Sequence, residues 1–359
     1  MLKLKPCYEN TYAAAFCRDF LTSDRPKYVL GTNAWAESIA HAVDIDGFID
    51  DFSTQTEFLQ KPIVPMADVP DDAMVVSVVI GKPFVAEKRM RRFQFDSIDY
   101  YAFYRYANLP ILPVMFWEGA AEDIEQNFEK YAWVYELLSD KTSRDQFSNI
   151  VNFRYSYDLA YMRGFENRED RQYFEPFLNL KKTGEAFVDI GAFDGYTSQE
   201  FIKYAPEYQN IFLFEPEPKN LEIAQERLAG LDNIFYFPLG LSDKKEELRF
   251  ESGGSSSKIC EEGGLVINVD RLDDLIDKKV TMIKMDIEGA ERNALEGAKE
   301  TIARNHPTLA ISVYHRKDDF WKIPEQILRI RSDYDLYLRH YTEGISETVM
   351  FFIPRTQHG

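Results

Sequence analysis

A chain of 359 residues, 45% of them hydrophobic, has enough material for two globular units of ordinary size. Its net charge of −18 argues against a nucleic-acid partner, because a polyphosphate needs concentrated positive charge and the densest basic run, Lys88 to Arg92, is short. Cys7, Cys17 and Cys260 are odd in number and lack C-x-x-C spacing, so neither a disulfide framework nor a cysteine zinc site is expected. No apolar run has the length of a signal-peptide core or a membrane span, which predicts a cytoplasmic protein without a membrane segment.

The first unit is expected over residues 1–119 as a small Rossmann-like α/β domain. Tyr28–Leu30 reads as a strand, Gly31–Asn33 as a turn, Ala34–Val43 as a helix and Gly47–Ile49 as a second strand ending in Asp50 and Asp51. A strand over Met74–Ile80, the turn Gly81-Lys82-Pro83 and a helix over Phe84–Arg92 repeat the pattern. Gly31, Asn33 and Ala36 form a degraded G-x-G-x-x-G with Asp50 near the ribose spacing, so a nucleotide or sugar-nucleotide site and a ligand-free scaffold both stay open. The GFIDD stretch with Lys61-Pro62-Ile63 resembles the N-terminal domain of bacterial sugar-nucleotide acetyltransferases. The aromatic residues between Phe93 and Trp117 read as core or as a seam between units, with an acceptor-stacking surface as the alternative. Helical patterns over Ala121–Leu138 and Arg144–Tyr161, separated by Ser139 and Asp140, predict a linker region over 120–180.

The chemistry is expected in the last unit, 181–359, around the run FVDIGAFDGYTS from Phe187 to Ser198. Phe187, Val188 and Ile190 read as a buried strand, Gly191 and Gly195 as the ends of a tight turn, and Tyr196–Tyr204 as the following helix. Ligands of open α/β sheets bind outside such strand ends. Phe193 stands where a dinucleotide motif needs its second glycine, and Asp194 places a carboxylate against a pyrophosphate; the cationic S-adenosylmethionine fits D-x-G-x-x-x-G, Asp189 to Gly195, better. Glu215 ends the next strand, Asn210–Phe214, at the distance from which an acid reaches ribose hydroxyls.

Further on, a helix over Pro218–Leu228 and a strand over Ile234–Pro238 lead to the turn LGLSD, Leu239–Asp243, placed beside the adenine. Thr197, Pro216, Leu241 and Ser242 complete the expected cofactor contacts, and Gly253–Ser257 is a flexible loop able to close over a ligand. Asp286 ends a strand over Val280–Met285, Glu288 and Glu291 enter the next helix with helix capping as their alternative role, and His315 follows a strand over Thr308–Val313. His315 is suited to take the proton of a hydroxyl acceptor near neutral pH, so Asp286, Glu288 and His315 form the expected catalytic group. The same three residues offer a site for a divalent metal ion.

VDIGAFDGYTS, FEPEP, LGLSD, IKMDIEGAERNALEGA and ISVYHRKDDFWKIPEQI, in that order over about half the chain, resemble the FkbM-type methyltransferases. The segment from Leu137 to Arg154 resembles the lead-in of longer members. The resemblance implies the class I methyltransferase fold, a seven-stranded sheet with one antiparallel strand at Thr348–Ile353. It also implies S-adenosylmethionine as cofactor and a hydroxyl of a sugar or natural product as acceptor. Asp189, Gly191, Gly195, Glu215, Asp286 and Glu288 would then line the cofactor side and His315 the acceptor side. A non-catalytic nucleotide-binding protein and an oxidoreductase with two Rossmann units are the competing readings, and a homo-oligomer is open.

Overall fold

In the computed structural model, residues 1–5, 9–251, 258–259 and 265–355 are described. The loop expected at 253–257, Cys7 and Cys260 lie outside the described residues. Strands of the first unit are β1 (Lys27–Leu30), β2 (Gly47–Ile49), β3 (Glu57–Phe58), β4 (Lys61–Val64), β5 (Met74–Ser77) and β6 (Asp96–Asp99). They form one sheet in the order β3-β4-β2-β1-β5-β6, parallel except at the β3/β4 edge. Strand β5, between β1 and β6, is buried at every position, as a parallel strand covered on both faces must be.

Local chemistry sets the helix starts in this unit. Asn10 caps the helix Thr11–Thr22 by accepting from the Ala13 N–H at 3.0 Å, and Asp99 caps Tyr100–Tyr106 by accepting from Ala102. Asn33 caps Ala34–Ala42 and also donates to the Val78 carbonyl, so the degraded glycine motif spends its polar side chain on the scaffold. The strand expected over Met74–Ile80 ends at Ser77, and β6 together with the first helix had no counterpart in the sequence pattern.

The expected helix over 121–138 is two helices, Ala120–Gln126 and Phe128–Leu137, divided at Asn127. The next runs over Lys141–Ser156 from its Asp140 cap, and it does more than link the units. Ser143 Oγ accepts from the Leu338 N–H at 3.0 Å and Asp140 pairs with Arg339, fastening this helix to an edge strand of the second sheet. The aromatic stretch is core, as favoured: Tyr100, Tyr101, Phe103 and Trp117 are buried, and Trp117 stands edge-on to Phe153 with ring centroids 4.8 Å apart. Arg154 lies buried in the same seam, its guanidinium 4.3 Å from the Phe320 ring, and burial lowers its pKa to about 10.

The second sheet contains β7 (Ala186–Ile190), β8 (Asn210–Phe214), β9 (Ile234–Phe237), β14 (Met282–Met285), β15 (Thr308–Ser312), β16 (Tyr334–His340) and β17 (Thr348–Pro354), and between β9 and β14 the chain inserts β10 (Gly240–Leu241), β11 (Glu246–Glu251), β12 (Lys258–Ile259) and β13 (Leu265–Asp270). The seven-stranded order is β16-β17-β15-β14-β7-β8-β9, and β17 alone runs antiparallel to both its neighbours. This is the expected class I methyltransferase topology. The inserted strands make a separate four-stranded sheet, β10-β13-β11-β12, that the sequence reading lacked. Strand β7 has β8 on one side and β14 on the other, so the chain order reverses there and opens a crevice at the carboxyl ends of β7 and β14. Among the described residues no helix is long and apolar enough to cross a membrane.

Candidate active site

A cavity of about 300 Å³ occupies this crevice. Its floor is the glycine turn after β7. Gly191 has φ +71°, and a Cβ there would overlap the Asp286 carbonyl oxygen, so the close approach of the β7 and β14 ends requires glycine. Gly195, at φ +76°, begins the helix Tyr196–Tyr204 and packs on Ala224. Between them Phe193 takes φ +50°, places its side chain at the cavity wall, and donates its N–H to Glu215 Oε2 at 2.9 Å.

Glu215 leaves the end of β8 and accepts from a second N–H, that of Glu217, at 2.9 Å. Burial pushes its carboxyl pKa up, against these two bonds, and the side chain remains part of the cavity wall. Thr197, Pro216 and Leu241 line the cavity. Two other expected contacts do not. Asp189 is fully buried beneath the turn, 3.2 Å from Lys284 Nζ and accepting from Ser198 Oγ at 2.7 Å. Ser242 is buried beside β13, its N–H donated to the Asp270 carbonyl and its hydroxyl to Asp243.

Asp194 reaches the wall, but its carboxylate is paired with Arg227, which also donates from Nε to the Asp194 carbonyl. The free negative charge expected to repel a pyrophosphate is therefore neutralised locally. Lys284, to which the sequence reading gave no role, donates to the Gly191 carbonyl at 2.5 Å while paired with Asp189, and so holds the turn from below. The signal was available: a lysine in the otherwise apolar run of β14 needs a buried partner.

Asp286 and Glu288, which follow β14 on the other side of β7 from β8, also line the cavity. Asp286 Oδ2 accepts from the Tyr173 hydroxyl at 2.6 Å. Glu288 has φ +54° in the tight turn after β14, and burial followed by the charges of Asp286 and Glu291 raises its pKa to about 7 despite His315. His315 is brought to the same place from the end of β15, with Nε2 3.4 Å from Asp286 Oδ1 and 3.4 Å from Glu288 Oε2. Its Nδ1 lies 2.8 Å from Glu291 Oε1, and Glu291 also accepts from the Ile287 and Gly289 N–H groups. Glu291 thus ties down the turn before its helix rather than capping the helix, and holds His315 as well.

The sequence reading made His315 a neutral proton acceptor facing the acceptor molecule, and the structure corrects this. Its side chain is fully buried behind the two acids and outside the cavity wall. Burial alone would lower its pKa, but Glu291, Asp286 and Glu288 outweigh burial and raise it to about 10, so with no other cation present the imidazole keeps its proton at neutral pH. Two further contributors were missed. Glu347, before β17, faces the cavity, and burial together with Asp286 raises its pKa to about 7. Phe116 of the first unit stands edge-on to His315 at 5.3 Å, so that unit closes the back of the site.

The model of the FkbM methyltransferase domain matches residues 189–341, which run from the end of β7 through the glycine turn, Glu215, Asp286 and Glu288 to beyond His315. The chain carries an FkbM methyltransferase domain. The structure of a methyltransferase FkbM from Methylobacillus flagellatus KT superimposes with a TM-score of 0.77 over 95% of this chain and 93% of that one, at 23% identity, so both units share its fold. The 2-O-methyltransferase NoeI of Sinorhizobium fredii is 25% identical over 35% of this chain and 62% of its own length. This chain therefore spans about three fifths of that relative. The N-terminal unit, likened above to acetyltransferases, here accompanies an FkbM domain.

Proposed function

We propose that the protein transfers a methyl group from S-adenosylmethionine to a hydroxyl of a sugar or sugar nucleotide. The observation that carries this reading is one cavity lined by Glu215, after β8, and by Asp286 and Glu288, after β14, over a turn at the end of the intervening β7 that Gly191 lets approach closely. In this reading Glu215 accepts from the ribose hydroxyls, using the carboxylate lone pairs that Phe193 and Glu217 leave free. The ammonium and sulfonium then lie towards the acidic wall, where opposite charge favours them. The name of the relative, a 2-O-methyltransferase, supports oxygen as the receiving atom.

The protein's part in the reaction is alignment. It holds the acceptor oxygen in line with the methyl carbon at about 3–3.5 Å. The oxygen attacks, the carbon–sulfur bond breaks, and its electron pair stays on sulfur, leaving neutral S-adenosylhomocysteine. The hydroxyl proton passes to a carboxylate of the acidic wall that Asp286, Glu288 and Glu347 form. Calorimetric titration with S-adenosylmethionine and S-adenosylhomocysteine tests the reading: saturable binding of both is expected, and no heat from either in folded protein overturns it. The non-catalytic alternative predicts binding without any conversion of one into the other on addition of hydroxylated acceptors.

A further inference from the structure

We propose that Asp286, Glu288 and Nε2 of His315 form a divalent-cation site at the acceptor end of the cavity. The three ligand atoms lie within 4.8 Å of one another, and the imidazole nitrogen is 3.4 Å from each carboxylate. Two ligands each about 2.1 Å from a shared ion stand about 3.0 Å apart at an octahedral right angle and about 3.4 Å apart at a tetrahedral one. The two imidazole–carboxylate spacings are thus those of ligands around a shared ion, whereas Asp286 and Glu288, held within 4.8 Å, would draw together around it.

Independent support comes from His315 itself. Its side chain is fully buried, and Nε2 has no hydrogen-bond partner although it points between two carboxylates. A buried polar nitrogen left in this way calls for an occupant. Its other nitrogen is held by Glu291, which as acceptor from Nδ1–H fixes the tautomer whose Nε2 lone pair faces the gap. Asp286 is held likewise by Tyr173 through Oδ2, leaving Oδ1 directed at His315. Glu291 also binds the N–H groups of Ile287 and Gly289, on either side of Glu288, so one buried carboxylate sets the imidazole and the turn bearing the third ligand. Carboxylate–histidine pairs of this kind are the usual outer support of metal ligands.

Two carboxylate oxygens, one imidazole and no thiolate suit a hard to borderline ion such as Mn²⁺ or Mg²⁺. Asp286 and Glu288 line the cavity, so the remaining coordination positions open towards the acceptor. There, and here the role rests on the methyl-transfer reading, the ion would bind the acceptor hydroxyl and lower its pKa before attack.

The test is titration of Mn²⁺ into the chelator-treated full-length protein, with free Mn²⁺ followed by electron paramagnetic resonance and folding by circular dichroism. One Mn²⁺ per chain is expected, with loss of that binding in Glu288→Gln and His315→Asn and about 10–100-fold weaker binding in Glu291→Gln. Glu288→Gln alters a cavity-wall side chain and keeps the result readable if His315→Asn fails to fold. Absence of saturable binding to wild type, or undiminished binding to folded Glu288→Gln, overturns the site. Calorimetry with S-adenosylhomocysteine on the same preparations separates the two ideas: cofactor binding without Mn²⁺ binding removes the cation site alone, and Mn²⁺ binding without cofactor binding removes the methyltransferase reading alone.

Discussion

Removing the carboxylate of Glu215 should separate cofactor binding from scaffold. In Glu215→Ala the ribose loses a charged acceptor, and bonds to charged groups contribute about 1.5–3 kcal/mol, which corresponds to about 10–150-fold weaker binding. The fold does not go untouched, because the same carboxylate holds the N–H groups of Phe193 and Glu217 at 2.9 Å each. Both lie at the open cavity where water can replace the lost acceptor, so the cost is about 0.5–1.5 kcal/mol per bond. For a chain of this size that lowers the melting temperature by a few degrees. Glu215→Gln retains one neutral acceptor and should fall between wild type and Glu215→Ala in both respects. Calorimetry with S-adenosylhomocysteine gives the affinity and a thermal melt the stability. Unchanged affinity in folded Glu215→Ala would refute the assignment, because it would mean the ribose is held elsewhere.

Gly191→Ala should lose measurable cofactor affinity and melt well below wild type, since its Cβ meets the Asp286 carbonyl at φ +71°; a wild-type melt and affinity would contradict the close approach. Lys284→Met should destabilise by about 3–5 kcal/mol in urea unfolding because Asp189 is then buried without its cation, and adding Asp189→Asn should recover much of the loss. Stability losses that simply add would show that the pair is not coupled. The pH dependence has a definite sign: Glu288 has a folded pKa of about 7 against 4.5 for the free group, so the metal-free folded state binds more protons between these values and stability falls as pH rises through that window. His315, at about 10 against 6.5, acts in the same direction, its contribution complete below 6.5 and lost as pH rises through 10. Between pH 5 and 8, Glu288→Gln should therefore gain about 2 kcal/mol relative to wild type in chelator, and an unchanged gap would rule out the raised pKa.

What the sequence disclosed follows from the range of the forces involved. The strand Asn210–Phe214 and the helix Tyr196–Tyr204 were legible to the residue because apolar runs, glycines and caps are local signals. Pairing between distant residues was not legible. Asp189 and Asp194 read as free acids, yet each meets a cation, Lys284 and Arg227, that only the fold brings near. The strands Glu246–Glu251 and Leu265–Asp270 escaped notice because the first is mostly charged and their pairing lies outside the main sheet. Asp286, Glu288 and His315 could be placed together from their positions after strand ends, but whether the imidazole is neutral depends on how dry its surroundings are and on Glu291. That carboxylate resembled an ordinary helix-start acid until its second bond, to His315, was in view. The role of Phe116 in closing the site was likewise hidden in a stretch rich in aromatics.

A crystal structure of the protein with S-adenosylhomocysteine tests the central claim most directly. The account predicts the ribose hydroxyls within hydrogen-bond distance of Glu215, the glycine turn under the amino-acid moiety, and the sulfur directed towards Asp286 and Glu288. Ligand bound elsewhere, or bound in this cavity with its sulfur turned away from that acidic wall, would contradict it.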